Sequence, residues 1–418
     1  MSINSIIENS QKRFWLLSTI YLVALLLRLG TTYLDYAGSG TEGWVDAKLY
    51  INTGLSFSDG NYYPTDGSRT SYMIIGPGIP LIVAASKLLF GDPIWPILVL
   101  NCLISALLVF VLYKLGETII NKKAGMLLAF WSIFNFSLIR TNYQILKEPF
   151  LITIVPLITL LVVYISKNRN VLWYTVASSL LFSVLIHIDE RFLVYLPIVV
   201  VSILISKRVP KRAIYALIWI VILLISMIPW TIRNYKQFNE LVILTPRTTS
   251  FTSKVWGTNW GQNHFEDDSR KERLIKYRIQ SFKEAAEEAK VEPREYGKYE
   301  KYLMAFYHYW KPVYLKTSFI QYGFRPVKWS ISHNISGLIF YGIFLPFYLI
   351  GIIVALLRKN YLIIFLSLMP IYHSLFHTVM VWPLERYRLP MNFLIVLVAL
   401  WVIFELVENI RTKRRIKP

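Results

Sequence analysis

The chain has 418 residues, of which 55% are hydrophobic, 15% aromatic and only 17% charged, and its formal net charge is +20. Soluble domains carry roughly 25% charged residues, so this composition excludes an ordinary soluble protein and voids the usual estimate of domain number from length. Apolar segments of roughly 16 to 23 residues recur instead, long enough to span or nearly span a bilayer core, and they predict an all-α polytopic membrane protein.

The positive charge is spread in short links between those segments: Lys12 and Arg13, Lys122 and Lys123, Lys167 and Arg169, Lys207 to Arg212, Arg358 and Lys359, and the tail RTKRRIKP. Basic links of this kind mark the cytoplasmic side of a membrane protein, so the charge reports topology and argues against a nucleic-acid partner. The single cysteine, Cys102, lies inside an apolar run, which leaves no disulfide framework and no thiolate metal site.

The first helix is expected from about Phe14 to Leu29 or slightly beyond, as a retained anchor rather than a cleaved signal peptide. Arg28 falls near its outer end. A polar stretch follows, Thr31 to Tyr72, with Asp46 at its centre, Trp44 just before it and Tyr50 one helical turn later. The apolar segment Ile74–Phe90 is long enough to cross, but parity argues otherwise. If it crossed, the next three basic links would fall outside; if it returns to the same side, every basic link falls inside. It is therefore read as a juxtamembrane helix.

Further spans are expected near 95–115, 124–140, 148–166, 171–188, 191–206, 213–230, 335–357, 361–380 and 391–408. This gives about ten transmembrane helices with both termini cytoplasmic. Spans 171–188 and 191–206 meet at HIDER, His187 to Arg191, with no room for a loop. Residues 231–332 form one larger extracytoplasmic region. Within it Ile275, Ile279, Phe282, Ala286 and Ala289 recur at helical spacing among charges, which predicts an amphipathic surface helix. After Pro293 an aromatic-rich run predicts a second interfacial helix that stops before Pro312. The implied organisation is a transmembrane module over 1–230 that includes the outer loop 31–94, the loop region 231–332, and C-terminal helices with a basic tail over 333–418.

Three groups of residues could carry chemistry. Asp46 lies on a polar loop directly after a first span, where a membrane enzyme meets a polar substrate, and Trp44 and Tyr50 could stack on a sugar or bond its hydroxyls. Glu148 opens a span beside Lys147 and before Pro149. It could simply satisfy the helix dipole, or orient an acceptor, or hold a divalent cation. Arginines at the outer level, Arg28, Arg69, Arg140, Arg191, Arg233, Arg386 and Arg388, would suit a phosphate if several converged, since guanidinium binds it in bidentate fashion. Asp189, Glu190 and Arg191 could equally be paired with one another. Histidines offer no HExxH metal signature, and neither a GxxxxGKS phosphate loop nor a GxSxG nucleophile elbow is present.

Seven pieces occur in order along the chain: DAKLY, GNYYP, GPGIPLIVAASKLLFG, the Glu148 segment, DERFLVYLP, PWTIRNYKQFNELVILT and ERYRLP. Together they resemble the GT-C superfamily of membrane glycosyltransferases, in the bacterial branch similar to protein O-mannosyltransferases and lipid A aminoarabinose transferase. The resemblance implies a GT-C-like bundle in a bacterial or archaeal plasma (inner) membrane and a polyprenyl-phosphate sugar donor. It also implies an extracytoplasmic active site with an acid of the first loop as base, which maps onto Asp46, and an acid opening the fourth helix, which maps onto Glu148. Tyr387 joins Arg386 and Arg388 as a substrate-binding candidate through ERYRLP. Two departures stand out. The family's paired Asp-Glu is Asp46-Ala47 here, and its Lys or His before Pro-Pro is replaced by Ile75-Gly76-Pro77-Gly78.

The expected activity is sugar transfer to a hydroxyl of a glycan, lipid or protein acceptor, with inversion. A flippase or transporter of lipid-linked sugars, a polysaccharide polymerase or ligase, and a noncatalytic assembly subunit are the alternatives. Transporters commonly show paired repeats or corresponding broken helices, which this sequence lacks.

Overall fold

The structure is a computed structural model that describes residues 8–40, 45–60, 76–238, 241–245, 299–312, 317–320, 323–326, 331–379 and 385–416. The predicted amphipathic helix around Ile275–Ala289 lies outside these residues, as do Trp44 and Arg69.

Helix α1 runs Ser10–Ser39 and is 30 residues long. At 1.5 Å per residue it covers about 45 Å, well beyond a hydrocarbon core of about 30 Å. Residues 31–39, expected to begin the polar stretch, are instead its last turns. Arg28 therefore sits inside the helix rather than near its end: it is wholly buried, and its Nε donates to Ser105 Oγ at 2.7 Å. A buried cation in a span needs a polar partner within the protein, and Ser105 supplies one.

Helix α2 (Val45–Ser58) and helix α3 (Gly78–Phe90) pack along each other. Gly54 makes that approach possible, since a Cβ there would collide with the Val83 side chain. The 13 residues of α3 cover only about 20 Å, too short to cross. Pro77 and Pro80 occupy its start, where a missing N–H costs nothing, and Gly91 ends it in the left-handed conformation at φ 73°.

The chain continues through α4 (Trp95–Ile119), α5 (Lys122–Phe134), α6 (Phe136–Arg140), α7 (Glu148–Ser166) and α8 (Val171–Ile188). Asn121 caps α5 by accepting from the Ala124 N–H at 2.9 Å. The expected single span 124–140 is broken: Lys122–Phe134 and Phe136–Tyr143 meet at 52°. The break falls at Asn135, whose side chain accepts from the Ser137 N–H at 3.1 Å and so competes with the helical ladder. Helix α7 is buried on nearly every face and so lies central in its layer.

The expected span 191–206 is also different. Glu190–Tyr195 is a 3₁₀ segment, followed by α9, Leu196–Leu204, of only nine residues. The pair still advances roughly 25 Å, because a 3₁₀ helix rises about 2.0 Å per residue. Helix α10 (Arg212–Phe238), α11 (Glu300–Trp310), a hairpin of β1 (Thr317–Ile320) and β2 (Gly323–Pro326), and α12 (Ile331–Phe340) follow. The hairpin pairs antiparallel with Thr317 opposite Pro326. Helices α13 (Leu345–Leu357), α14 (Tyr361–Val379) and α15 (Glu385–Ile416) complete the chain.

Among the described residues, eight helices are long and apolar enough to cross a membrane, or nine if the bent pair is one span. The protein is thus an all-α polytopic membrane protein with one short hairpin. By packing it divides into two units, Met1–Ala24 with Leu108–Arg140 and Asp268–Pro418, and Leu25–Leu107 with Thr141–Asp267. The core of the first gathers Tyr341, Tyr348, Ile363, Ile395, Val398 and Trp401. There Gly351 lets α13 approach α15, since a Cβ at that position would lie 2.7 Å from Val398 Cγ1. In the second, Trp219 of α10 is buried against Phe182 of α8, and its Nε1 donates to Ser178 Oγ at 3.2 Å.

Candidate active site

In the unit that holds α2, Asp46 is the second residue of that helix; its side chain lies outside the described residues. Positions 46, 50, 53 and 57 share one helical face. Tyr50, Thr53 and Phe57 on that face are all buried, so Asp46 stands where the buried face meets the helix start. Phe57 in turn contacts Trp230 of α10 at 6.2 Å between ring centroids, and the Arg233 guanidinium stacks over Trp230 at 4.5 Å. Arg233 also donates to Asn234 Oδ1 at 2.8 Å.

The PWTIRN segment has a clear structural task beside this. Trp230 Nε1 donates to the Leu244 carbonyl at 3.0 Å, Thr231 Oγ1 to Ile243 at 3.1 Å, and Asn234 Nδ2 to Val242 at 2.9 Å. Those bonds satisfy the carbonyls of Val242, Ile243 and Leu244, which lie outside any helix or strand.

Glu148 is 2% exposed at the first turn of α7, with Pro149 following it. Its neighbour Lys147 reaches across to Asp189, Nζ to Oδ2 at 2.9 Å. Arg191 closes on the same carboxylate with a fork, Nε to Oδ1 at 2.8 Å and Nη2 to Oδ2 at 2.6 Å. Burial alone would raise the Asp189 carboxyl, but the Arg191 and Lys147 charges outweigh it and hold it far below the usual carboxylate range. Arg191 is therefore paired within HIDER, and Glu148 and Arg191 are brought to one locality by a lysine and an aspartate.

The GPG turn at the head of α3 rests on this same corner. A Cβ on Gly76 would collide with the His187 carbonyl oxygen and would lie 3.6 Å from Glu190 Oε2; one on Gly78 would lie 2.7 Å from Ile188 Cγ1. No side chain fits there, which is the physical reason why Gly76 occupies a position close to a buried carboxyl. Lys147, Asp189 and Glu190 were not singled out as site residues by the sequence, because their association depends on a contact between separate helix ends.

Arg140, Arg386, Tyr387 and Arg388 lie in the first packing unit, the one containing α15. Arg140 ends α6 and is exposed. Arg386 covers the Tyr387 ring at 5.2 Å and donates from Nη2 to its hydroxyl at 3.2 Å. Tyr387 is buried and stacks on His377 with centroids 5.0 Å apart and planes 9° from parallel. His373 Nε2 donates to the Tyr387 carbonyl at 2.6 Å. Arg388 is 1% exposed, donates to the Tyr309 and Lys311 carbonyls at 2.6 and 3.0 Å, and lies 3.6 Å over the Tyr341 ring. Among the described residues, no group of three or more His, Cys, Asp or Glu side chains could hold a metal ion.

Residues 75–232 match the family model described as dolichyl-phosphate-mannose-protein mannosyltransferase, a GT-C type family. Over that stretch the chain is similar to membrane glycosyltransferases of the mannosyltransferase type. A comparison with curated proteins finds no match. The matched stretch contains α3, Glu148, the Lys147–Asp189–Arg191 assembly and all but the last two residues of PWTIRN.

Proposed function

We propose that the protein transfers a sugar from a polyprenyl-phosphate donor to a hydroxyl acceptor at the extracytoplasmic membrane face, with Asp46 as the base. The observation that carries this reading is an assembly of buried carboxylates and partly exposed cations, built from 147–148 and 189–191, lying wholly within the stretch similar to mannosyltransferases. Polyprenyl phosphate is already a good leaving group, so it needs charge stabilisation rather than a strong general acid, and Arg191 and Arg233 are suited to supply it. The acceptor hydroxyl loses its proton to Asp46 as its oxygen attacks the anomeric carbon, while the bond from that carbon to the phosphate oxygen breaks. Glu148 orients the acceptor, and Tyr50 and Trp44 hold the sugar. One base with no enzyme nucleophile gives inversion. Arg69 remains a further candidate for donor contact.

Turnover in vesicles tests this. Reconstituted protein given polyprenyl-phosphate mannose should release polyprenyl phosphate only when a hydroxyl acceptor is present, and the new glycosidic bond should have inverted configuration. Donor that crosses the bilayer with its sugar still attached, without acceptor-dependent release, would favour the flippase reading instead.

The sidedness rests on the basic links, and it makes a second expectation. Single cysteines at Ser58, Asn168 and Gln262 should be labelled from outside, not at all, and from outside by an impermeant maleimide. Labelling of Asn168 from outside would invert the topology from α4 to the large loop.

A further inference from the structure

Asp189 is an unusual ion-pair partner because two cations converge on it. Arg191 alone matches both of its oxygens, yet Lys147 Nζ is also drawn to Oδ2 at 2.9 Å. A second cation adds like-charge repulsion, and Lys147 sits at the N-cap of a 19-residue helix, where the dipole disfavours positive charge. The charges are also layered: the Asp189 side chain is 1% exposed, while those of Lys147 and Arg191 are 14% and 20% exposed. Glu148 and Glu190 belong to the inner, buried layer as well. The outward layer of this corner is thus cationic, and the Gly76–Pro77–Gly78 backbone is pressed against the His187 carbonyl of the same corner.

We infer that Asp189 is a positioning residue, which presents Lys147 and Arg191 as a paired clamp for the phosphate of a lipid-linked ligand. The inference rests on the transferase reading for the identity of that lipid, the polyprenyl-phosphate donor. In the clamp, Asp189 fixes Arg191 through Nε and Nη2 and so sets the plane of the guanidinium. Lys147 contributes a point charge from the opposite helix end. No bond is made or broken by Asp189 itself.

Binding to the full-length protein in nanodiscs tests the clamp without requiring turnover. The probes are a polyprenyl phosphate, the same polyprenol without phosphate, phosphatidic acid and inorganic phosphate. The native protein should prefer polyprenyl phosphate over polyprenol by roughly ten-fold or more, and phosphatidic acid and inorganic phosphate should compete poorly. The Lys147→Gln/Arg191→Gln double variant should bring that preference close to one. It should unfold at a lower temperature than the native protein, because the buried Asp189 loses both partners, and the preference is read where circular dichroism shows it folded. Asp189→Asn should reduce the preference in the native background and add nothing in the double-variant background, since it acts only through the two cations. A folded double variant that keeps the full preference overturns the clamp, and so does an Asp189→Asn effect that persists without the cations. Equal competition by phosphatidic acid overturns the assignment to the donor. Lost preference in the double variant of a protein that shows no acceptor-dependent release of polyprenyl phosphate would support the clamp while removing the transferase reading, so the two fail separately.

Discussion

Asp46→Asn should insert and fold normally, still bind the lipid-linked donor, and transfer sugar roughly 10²-fold or more slowly than the native protein. The substitution preserves size and some hydrogen bonding but removes the ability to accept a proton at neutral pH. Its expected size corresponds to about 2.7 kcal/mol of transition-state stabilisation. The position supports this expectation in two ways. Asp46 opens a helix whose face at 50, 53 and 57 is buried, so it stands at the rim of a packed surface rather than on an open loop. That helix also packs along α3, whose first residue rests on the corner that carries Asp189 and Glu190. Asp35→Asn and the exposed Asp59→Asn serve as controls and should be nearly silent in the same assay. A fully active Asp46→Asn protein would move the base elsewhere, to Glu148 first. Full activity in Glu148→Gln as well would take the base role from both acids, while the absence of transfer in the native protein would make transport or assembly the better reading.

Much of the membrane architecture was legible because hydropathy and helix-end chemistry act locally. The segments read as 148–166 and 171–188 are helices over those same residues, and 361–380 is Tyr361–Val379. Pro149 marks one start, and Asn168 and Asn170 adopt positive φ in the link that follows. Hydropathy failed where helix and membrane part company. α1 continues through TTYLDYAGS because a helix does not end where the apolar core ends. Asn135 breaks a span through its own side chain, which an apolar average does not register. The site was legible in its residue types and less so in its pairings. Arg191 and Asp189 are near neighbours in sequence, but Lys147 joins them only through the packing of α7 beside α8. Gly76 and Gly78 carry no chemical signal of their own; their meaning is the backbone of His187 pressed against them.

Arg388→Ala should destabilise the protein by about 2–4 kcal/mol, chiefly by loosening α11. The last carbonyls of a helix have no partner within it, and here Tyr309, Trp310 and Lys311 meet this need from outside. Arg388 donates to the Tyr309 and Lys311 carbonyls, while the Tyr341 hydroxyl donates to Trp310 at 3.0 Å. A cation at a helix C-terminus is also favoured by the dipole. Two charge-assisted bonds contribute roughly 1.5–3 kcal/mol each, and the ring of Tyr341 beneath the guanidinium about 1–2 more. Relief of the buried charge's desolvation offsets part of that sum, which brings the net to the stated range. The site is tight on its other side too, since a Cβ on Gly337 would lie 2.6 Å from the Pro312 carbonyl oxygen. Lys311 offers an independent readout. Burial first, and the Arg388 charge second, lower it to about 8 from its ordinary 10.5. With the folded value below the unfolded one, native stability should rise as pH passes upward from about 8 toward 10.5. Without Arg388 that rise should shrink, because one of the two causes is gone. The measurements are thermal unfolding in detergent across this pH range and hydrogen exchange at residues 300–312. Arg388→Lys should restore only part of the loss, since a single ammonium cannot reproduce the planar stack on Tyr341. Native unfolding and exchange in Arg388→Ala, accompanied by weakened donor use, would return this arginine to the substrate.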